Sequence, residues 1–353
     1  MAESLYRKIC IITCAIVTIA FYLWHLIGKI IYIYVSTPSA VAVLDALASC
    51  LVAAICVINP LSRFLFNKEK FCTLRRVLKK IDNFLGVGKN DCKIKTTRTK
   101  IAVQSFLVLS CAGDMYTKIR NIGYDIYKYN FVNIFFLQWL SFFVLWFFDF
   151  SKTVSNRLVL LNKKIEKLVT VEDHESFRQT FNCMKCHFAL CEIFESLGEI
   201  CGWQILMLQK MCALYMVETI FYCYSYFQHG GLCHISDIIC NILWTLTFLV
   251  VPMSKQKLLL FERFFQIYAA LVLFACDEIN REANSTLLLC QDVIRSTKDK
   301  TLMRKLLKHF ARQIGTVNSQ FRCPLELVLD KKTFLKILTD VLNYLIIVFQ
   351  FDT

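Results

Sequence analysis

With 353 residues, 56% of them hydrophobic and only 19% charged, the chain carries too much apolar side chain for an ordinary soluble domain. Its formal net charge of +14 would suit a nucleic-acid partner, but in a membrane protein such an excess collects in cytoplasmic loops, and its distribution here follows that pattern. Several stretches of about 20 apolar residues are long enough to cross ~30 Å of hydrocarbon as helices, and they lack the period-2 alternation of barrel strands. The expected fold class is all-α, a polytopic helical membrane protein.

Arg7 and Lys8 stand directly before an apolar run that is too long for a signal-peptide core and shows no clear cleavage site, so it reads as a retained first span at about 9–35. A second span at about 39–61 carries Asp45 and ends at Asn59-Pro60. The segment after it is crowded with cations, among them Arg63, Lys68, Lys70, Arg75, Arg76, Lys79, Lys80, Lys93 and Lys95. Together with Arg7 and Lys8, this places the N-terminus and this segment in the cytoplasm.

A third span at about 101–120 runs outward and a fourth at about 131–150 returns, joined by a stretch holding Tyr124, Tyr127 and Tyr129, side chains suited to the membrane–water interface. Residues 151–200 keep a helical rhythm (Leu158, Leu161, Ile165, Leu168) with charges between, and read as the fourth and fifth helices projecting below the bilayer. The fifth span covers about 201–227, and the turn Gln228-His229-Gly230-Gly231 has no Lys or Arg, as an outside turn should.

Two apolar stretches follow, 235–254 and 256–276. If both crossed, the basic cluster from Lys298 to Arg312 would lie outside, against the charge rule, so one of them is the sixth span. Hydropathy favours the first, because Glu262 and Arg263 interrupt the second. Residues 277–332 form a second cytoplasmic region, with a helical stretch at 301–319, and 333–351 is the seventh span. The N-terminus is then inside and the C-terminus outside. G-protein-coupled receptors have the opposite orientation, and their Asp-Arg-Tyr triplet does not follow the third span here.

The seventh span has an unusual face. Asn343 and Gln350 are two helical turns apart, and Asp340 stands one turn before Asn343 on the same side. A polar stripe on an otherwise apolar helix is costly in lipid and should face protein or water.

The terminal run Asn343-Tyr344-Leu345-Ile346-Ile347-Val348-Phe349-Gln350-Phe351 resembles the insect gustatory receptor signature of Thr-Tyr, five hydrophobic residues and Gln-Phe, with Asn343 in place of the Thr. Glu282-Ala283 and the stretch from Leu307 to Gln313 also look like cytoplasmic segments of that family. The resemblance implies a tetrameric, ligand-gated, non-selective cation channel in the plasma membrane of sensory neuron dendrites. It further implies a central pore lined by the seventh helix, a cytoplasmic anchor, and a ligand pocket in the outer half of helices two to six.

On that reading the pore face is Asp340, Asn343, Ile347 and Gln350, with isoleucines closing the path by dewetting and Gln350 near the extracellular mouth. Tyr344 and Phe351 lie on the adjacent face and pack against neighbouring helices. The plainer alternative is that Asn343 and Gln350 glue helices together. Candidates for contact with a small-molecule tastant are Asp45, Asp114, Trp139, Tyr215, Glu218, Tyr222 and Trp244, and each acid could equally pair with a nearby donor.

The expected partners are a tastant, cations, the lipid bilayer and related receptor subunits, with no nucleic acid and no cofactor. Cys183-Met184-Lys185-Cys186-His187 matches the c-type haem attachment pattern, but that chemistry needs an extracytoplasmic location. Zinc on Cys183, Cys186, His187 and Cys191 would lack a second paired motif. Of the eighteen cysteines, only Cys233, with Cys223 as its candidate partner, falls where an oxidised bridge is plausible at all. The sequon Asn284-Ser285-Thr286 is a topology probe, since a glycan there would place it outside. No catalytic constellation emerges, and an enzyme is not expected. A transporter or another inverted seven-helix protein is the alternative class, although neither internal repeats nor short Gly/Pro-broken helices are evident.

Overall fold

The computed structural model describes residues 2–32, 39–61, 68–87, 127–169, 174–228, 264–296 and 302–316. It also describes single helical positions at Ile101, Gln104, Ser105 and Val108 and at Leu335, Lys336, Thr339, Asn343 and Ile346. Every regular element among them is a helix: α1 (Ala2–Tyr32), α2 (Ser39–Leu61), α3 (Lys68–Leu85), α4 (Tyr127–Val169), α5 (His174–Gln228), α6 (Phe264–Ser296) and α7 (Leu302–Thr316).

Length is the first structural argument. At 1.5 Å per residue, the 43 residues of α4 and the 55 of α5 make rods of about 65 and 80 Å, more than twice the thickness of a bilayer core. Each rod therefore has an apolar part and a part that extends well beyond it. Among the described residues, two helical stretches are long and apolar enough to cross a membrane, Ile12–Ile31 and Ile134–Leu168, with a shorter apolar helix at Asp45–Ile58.

The surface of α1 is inverted relative to a soluble helix. Ile9, Ile12, Ile16, Ile19, Phe21, Leu23, Trp24, Ile27 and Ile30 are all exposed, which water would penalise and lipid tails would not. In α4 the helical rhythm of the lower half is buried: Leu158, Leu161 and Ile165 pack in one core with Leu190, Phe194 and Leu197 of α5, Ile279 and Ala283 of α6, and Leu307 and Phe310 of α7. The main pairings are α2 with α5, α4 with α6, α4 with α5, and α6 with α7.

Helix α3 lies within the cation-rich segment after α2. Charge density describes this segment as a basic loop, but Phe71, Leu74, Leu78, Ile81 and Leu85 recur at helical spacing, and Leu74 and Ile81 are buried. Gly86 closes the helix at φ 71°, and Val87 N–H donates to the Asp82 carbonyl at 3.1 Å, a Schellman cap. A side chain at Gly86 would meet no atom within 4 Å, so glycine is favoured there by backbone conformation alone.

Helix α6 begins within the second of the two apolar stretches that compete for the sixth span and continues to Ser296, while 235–254 lies outside the described residues. α7 falls on the helical stretch expected at 301–319 and is strongly amphipathic, burying Met303, Leu307, Phe310 and Ile314.

Candidate pore, pocket and anchor residues

Five positions of the last helix are described, Leu335, Lys336, Thr339, Asn343 and Ile346, and all five are exposed, with Leu335 at 60% and Ile346 at 55%; Thr339, Asn343 and Ile346 follow Lys336 at helical spacing. Three of the five are polar, unlike the exposed face of α1. Thr339 turns its hydroxyl back to the Leu335 carbonyl at 2.9 Å, while Lys336 and Asn343 extend the polar character of the face. Asp340, Tyr344, Ile347, Gln350 and Phe351 lie outside the described residues.

Of the ligand candidates, Asp45 has the fullest setting. Its carboxylate accepts two hydrogen bonds from the Lys29 ammonium, at 2.8 and 2.6 Å, and Lys29 also donates to Ser49 Oγ at 2.9 Å. The Lys29 and Asp45 side chains are only 6% and 16% exposed, so this is a desolvated ion pair that ties α1 to α2. One to two turns away Tyr22 Oη and Cys50 Sγ share a hydrogen bond at 2.7 Å, joining the same two helices. The signal for Lys29 in the sequence is its isolation as a cation deep in the first apolar run.

Trp139 is 40% exposed on α4. Beside it, Gln138 donates to Gln104 Oε1 at 2.6 Å, and Gln104 in turn donates to Ser141 Oγ, a polar chain that links the helical position 104 to α4. Tyr215, Glu218 and Tyr222 lie on α5 with side chains outside the described set, and Asp114 and Trp244 fall outside the described residues.

The lower half of the bundle is joined by side chains from every helix that reaches it. Asn162 of α4 donates to Ser285 Oγ at 2.8 Å and to the Glu282 carbonyl at 3.2 Å, and accepts from Thr286 Oγ1 at 2.7 Å. The Thr of the Asn284 sequon is therefore fully buried against α4. Arg157 reaches across to Asp82 with two nitrogens, at 2.8 and 3.2 Å, locking α3 to α4. Lys152 pairs with Glu278, and Lys164 donates to the Phe84 carbonyl at 3.1 Å with its ammonium 3.9 Å from the Phe84 ring centroid.

His187, from the haem-like pentad, lies between two rings. It meets Phe188 and Phe310 edge-on at centroid distances of 5.7 and 5.5 Å, and its Nδ1 is 3.8 Å from Cys191 Sγ. Burial pushes its pKa down to about 4, with the Ala283 backbone pulling the other way. Burial likewise raises Cys183 and Cys191 to about 12, so these thiols stay protonated. Among the described residues no three side chains of metal-binding type converge, and this junction is a packed core.

Long helices with an apolar half, an inverted exposed face on α1, a desolvated ion pair between α1 and α2 and a helical base describe a polytopic helical membrane protein. A family model for the 7tm chemosensory receptors matches residues 2–353, and the chain belongs to that family. Its fold is similar to the solved structure of the insect olfactory receptor OR5 from Machilis hrabei, with a TM-score of 0.56 and 11% identity over 95% of this chain and 88% of that one. No curated protein matches the chain.

Proposed function

We propose that this chain is one subunit of a gustatory receptor, a tetrameric non-selective cation channel opened by a small-molecule tastant. It crosses the plasma membrane seven times with its N-terminus inside and its C-terminus outside, and its last helix lines the pore. The observation that carries this reading is the exposed stripe of the last helix. In a lone chain, Lys336, Thr339 and Asn343 stand exposed beside Ile346, whereas the exposed face of α1 is apolar. Lipid suits the second face and not the first, so the last helix needs water or other subunits against it. On the same helical period Asp340 falls within that stripe, and Ile347 and Gln350 continue it towards the C-terminal end.

In this reading the lower parts of α4, α5 and α6 together with α7 form the cytoplasmic anchor. Asp45 serves the scaffold through Lys29, which leaves Trp139 and the outer part of α5 (Tyr215, Glu218, Tyr222) as the first candidates for the pocket wall. The terminal Tyr344, Gln350 and Phe351 support the gustatory branch of the family by their spacing.

The test is expression in an otherwise silent cell with a tastant panel and calcium imaging, followed by patch recording of any active compound. Agonist-evoked cation currents are expected, and Gln350→Ala should change gating or ion selectivity. Unchanged currents at normal surface expression in that variant would remove the last helix from the pore.

A further inference from the structure

Helix α3 has two faces of different fate. Its apolar face is used within the chain, with Leu74 and Ile81 buried and Phe71 stacked on Trp146 of α4 at a centroid distance of 5.6 Å. Its other face presents Cys72, Arg75, Arg76, Lys79 and Lys80 to the outside, one stripe at helical spacing. Among the described residues no ion pair engages Arg75, Arg76, Lys79 or Lys80. Glu69 is the one acid on that stripe, and Asp82 is taken by Arg157.

The position of this stripe relative to the bilayer follows from two contacts. Phe71 meets Trp146, and Asp82 meets Arg157, so the two helices run side by side in the same direction, eleven residues apart on each. Trp146 lies near the inner end of the expected fourth span, where aromatic side chains mark the interface, and Lys152 opens the charged part of α4 just beyond. α3 also starts only seven positions after Leu61, a reach of at most ~25 Å from the end of α2. Taking the rise of a helix, Arg75 and Arg76 stand about 6–8 Å beyond the level of Trp146, and Lys79 and Lys80 about 12–14 Å beyond it. The first pair is at headgroup depth. The second is below the plane of the phosphodiesters but within reach of phosphates that project from it.

We propose that the exposed basic face of α3 binds an inner-leaflet phospholipid whose headgroup carries phosphate monoesters beyond its phosphodiester, that is, a polyphosphoinositide. A stripe of cations standing upright from the membrane matches phosphates at two depths, whereas a single phosphodiester reaches only Arg75 and Arg76. The apolar face of α3 is occupied by α4 and α5, so the helix does not lie flat in the interface and its lipid contact is through charge. The proposal rests on the cytoplasmic placement of α3 made above.

The experiment uses the full chain in nanodiscs of phosphatidylcholine alone, with phosphatidylserine, or with phosphatidylinositol 4,5-bisphosphate at matched charge, reading thermal stability and the apparent affinity for the phosphoinositide. The expected result is stabilisation by the phosphoinositide beyond that by phosphatidylserine, weakened by salt. Affinity should fall about fivefold for each of Arg75→Gln, Arg76→Gln, Lys79→Gln and Lys80→Gln, and Glu69→Gln should raise it.

Equal stabilisation by the two acidic lipids overturns the proposal. So do Gln variants that lose binding to an acidic soluble protein such as calmodulin while keeping the phosphoinositide response. Placement is read separately, as the difference in membrane-impermeant maleimide labelling between the native chain and Cys72→Ser, because Cys72 is exposed on the same face. Labelling in intact cells would remove the topology. Labelling only after permeabilisation, with Gln variants binding as well as the native chain, would remove the lipid site and leave the topology standing.

Discussion

The two ends of the molecule hold their charges in opposite ways. Between α1 and α2, Lys29 and Asp45 are almost wholly desolvated, and the cation is completed by Ser49. At the other end, Lys70 of α3 and Glu199 of α5 pair at 2.7 Å with both side chains more than half exposed, at 53% and 57%. The first pair is largely withdrawn from solvent, so a charge left without its partner there would be poorly compensated. Around the second, water replaces either partner at little loss, and the helices are held by the apolar core of α4 to α7 instead. The fold is thus specified by a few polar contacts where the surroundings are apolar and by apolar contacts where they are wet.

The largest effect that tests this contrast comes from separating the buried pair. Asp45→Ala leaves Lys29 buried and uncompensated and should destabilise the chain by about 3–5 kcal/mol, seen as a large drop in melting temperature in a fluorescence-detected thermal assay. Lys29→Met combined with Asp45→Leu should recover most of the loss, because an apolar pair suits the site at least as well. If the double variant also keeps the dose–response of any compound that activates the native chain, Asp45 is a scaffold residue. A double variant as unstable as the single would break the comparison, since the charge itself would then be needed.

A smaller effect is expected at the junction of α5, α6 and α7, where His187 is buried at 1% exposure. Its pKa in the folded chain is lowered to about 4 from an ordinary 6.5, so the native state holds it neutral and the unfolded state takes the proton first. The stability that this group contributes is complete above pH 6.5 and is lost as pH falls from there towards 4, on the order of 2 kcal/mol by pH 5. The melting temperature of the native chain should drop relative to that of His187→Leu as pH falls from 7.5 to 5. Parallel curves would show that His187 is not held neutral by its surroundings.

How far these features can be read in the sequence depends on the range of the interaction. The long helices are legible because an apolar run or a repeated Leu158-Leu161-Ile165 spacing is a local property, and the structure buries all three of those residues. α3 is harder, since its cations dominate any window and hide the recurrence of Phe71, Leu74, Leu78 and Ile81. The Lys29–Asp45 pair needs the relative register of two helices, and Asn162 with Thr286 brings together positions 124 apart, so neither follows from spacing. Asn343 is the intermediate case. Its periodicity with Gln350 marks a polar face from sequence, and the structure adds that Asn343 shares an exposed stripe with Lys336 and Thr339.

The smallest effect belongs to the exposed pair. Lys70→Ala should change stability by no more than about 1 kcal/mol, because an exposed ammonium exchanges Glu199 for water and regains side-chain freedom when released. The same holds for Glu199→Ala, and the double-mutant cycle should give a coupling well under that of Lys29 with Asp45 measured in the same assay. Salt sharpens the contrast further, since screening acts on charges that solvent reaches: the Lys70–Glu199 coupling should fade at high ionic strength, and the Lys29–Asp45 coupling should not. A large, salt-resistant coupling at Lys70 would mean that the packing of α3 on α5 depends on charge as strictly as that of α1 on α2 does. Arg75 and Arg76, one to two turns further along α3, would then act on the scaffold as well as on any lipid they meet.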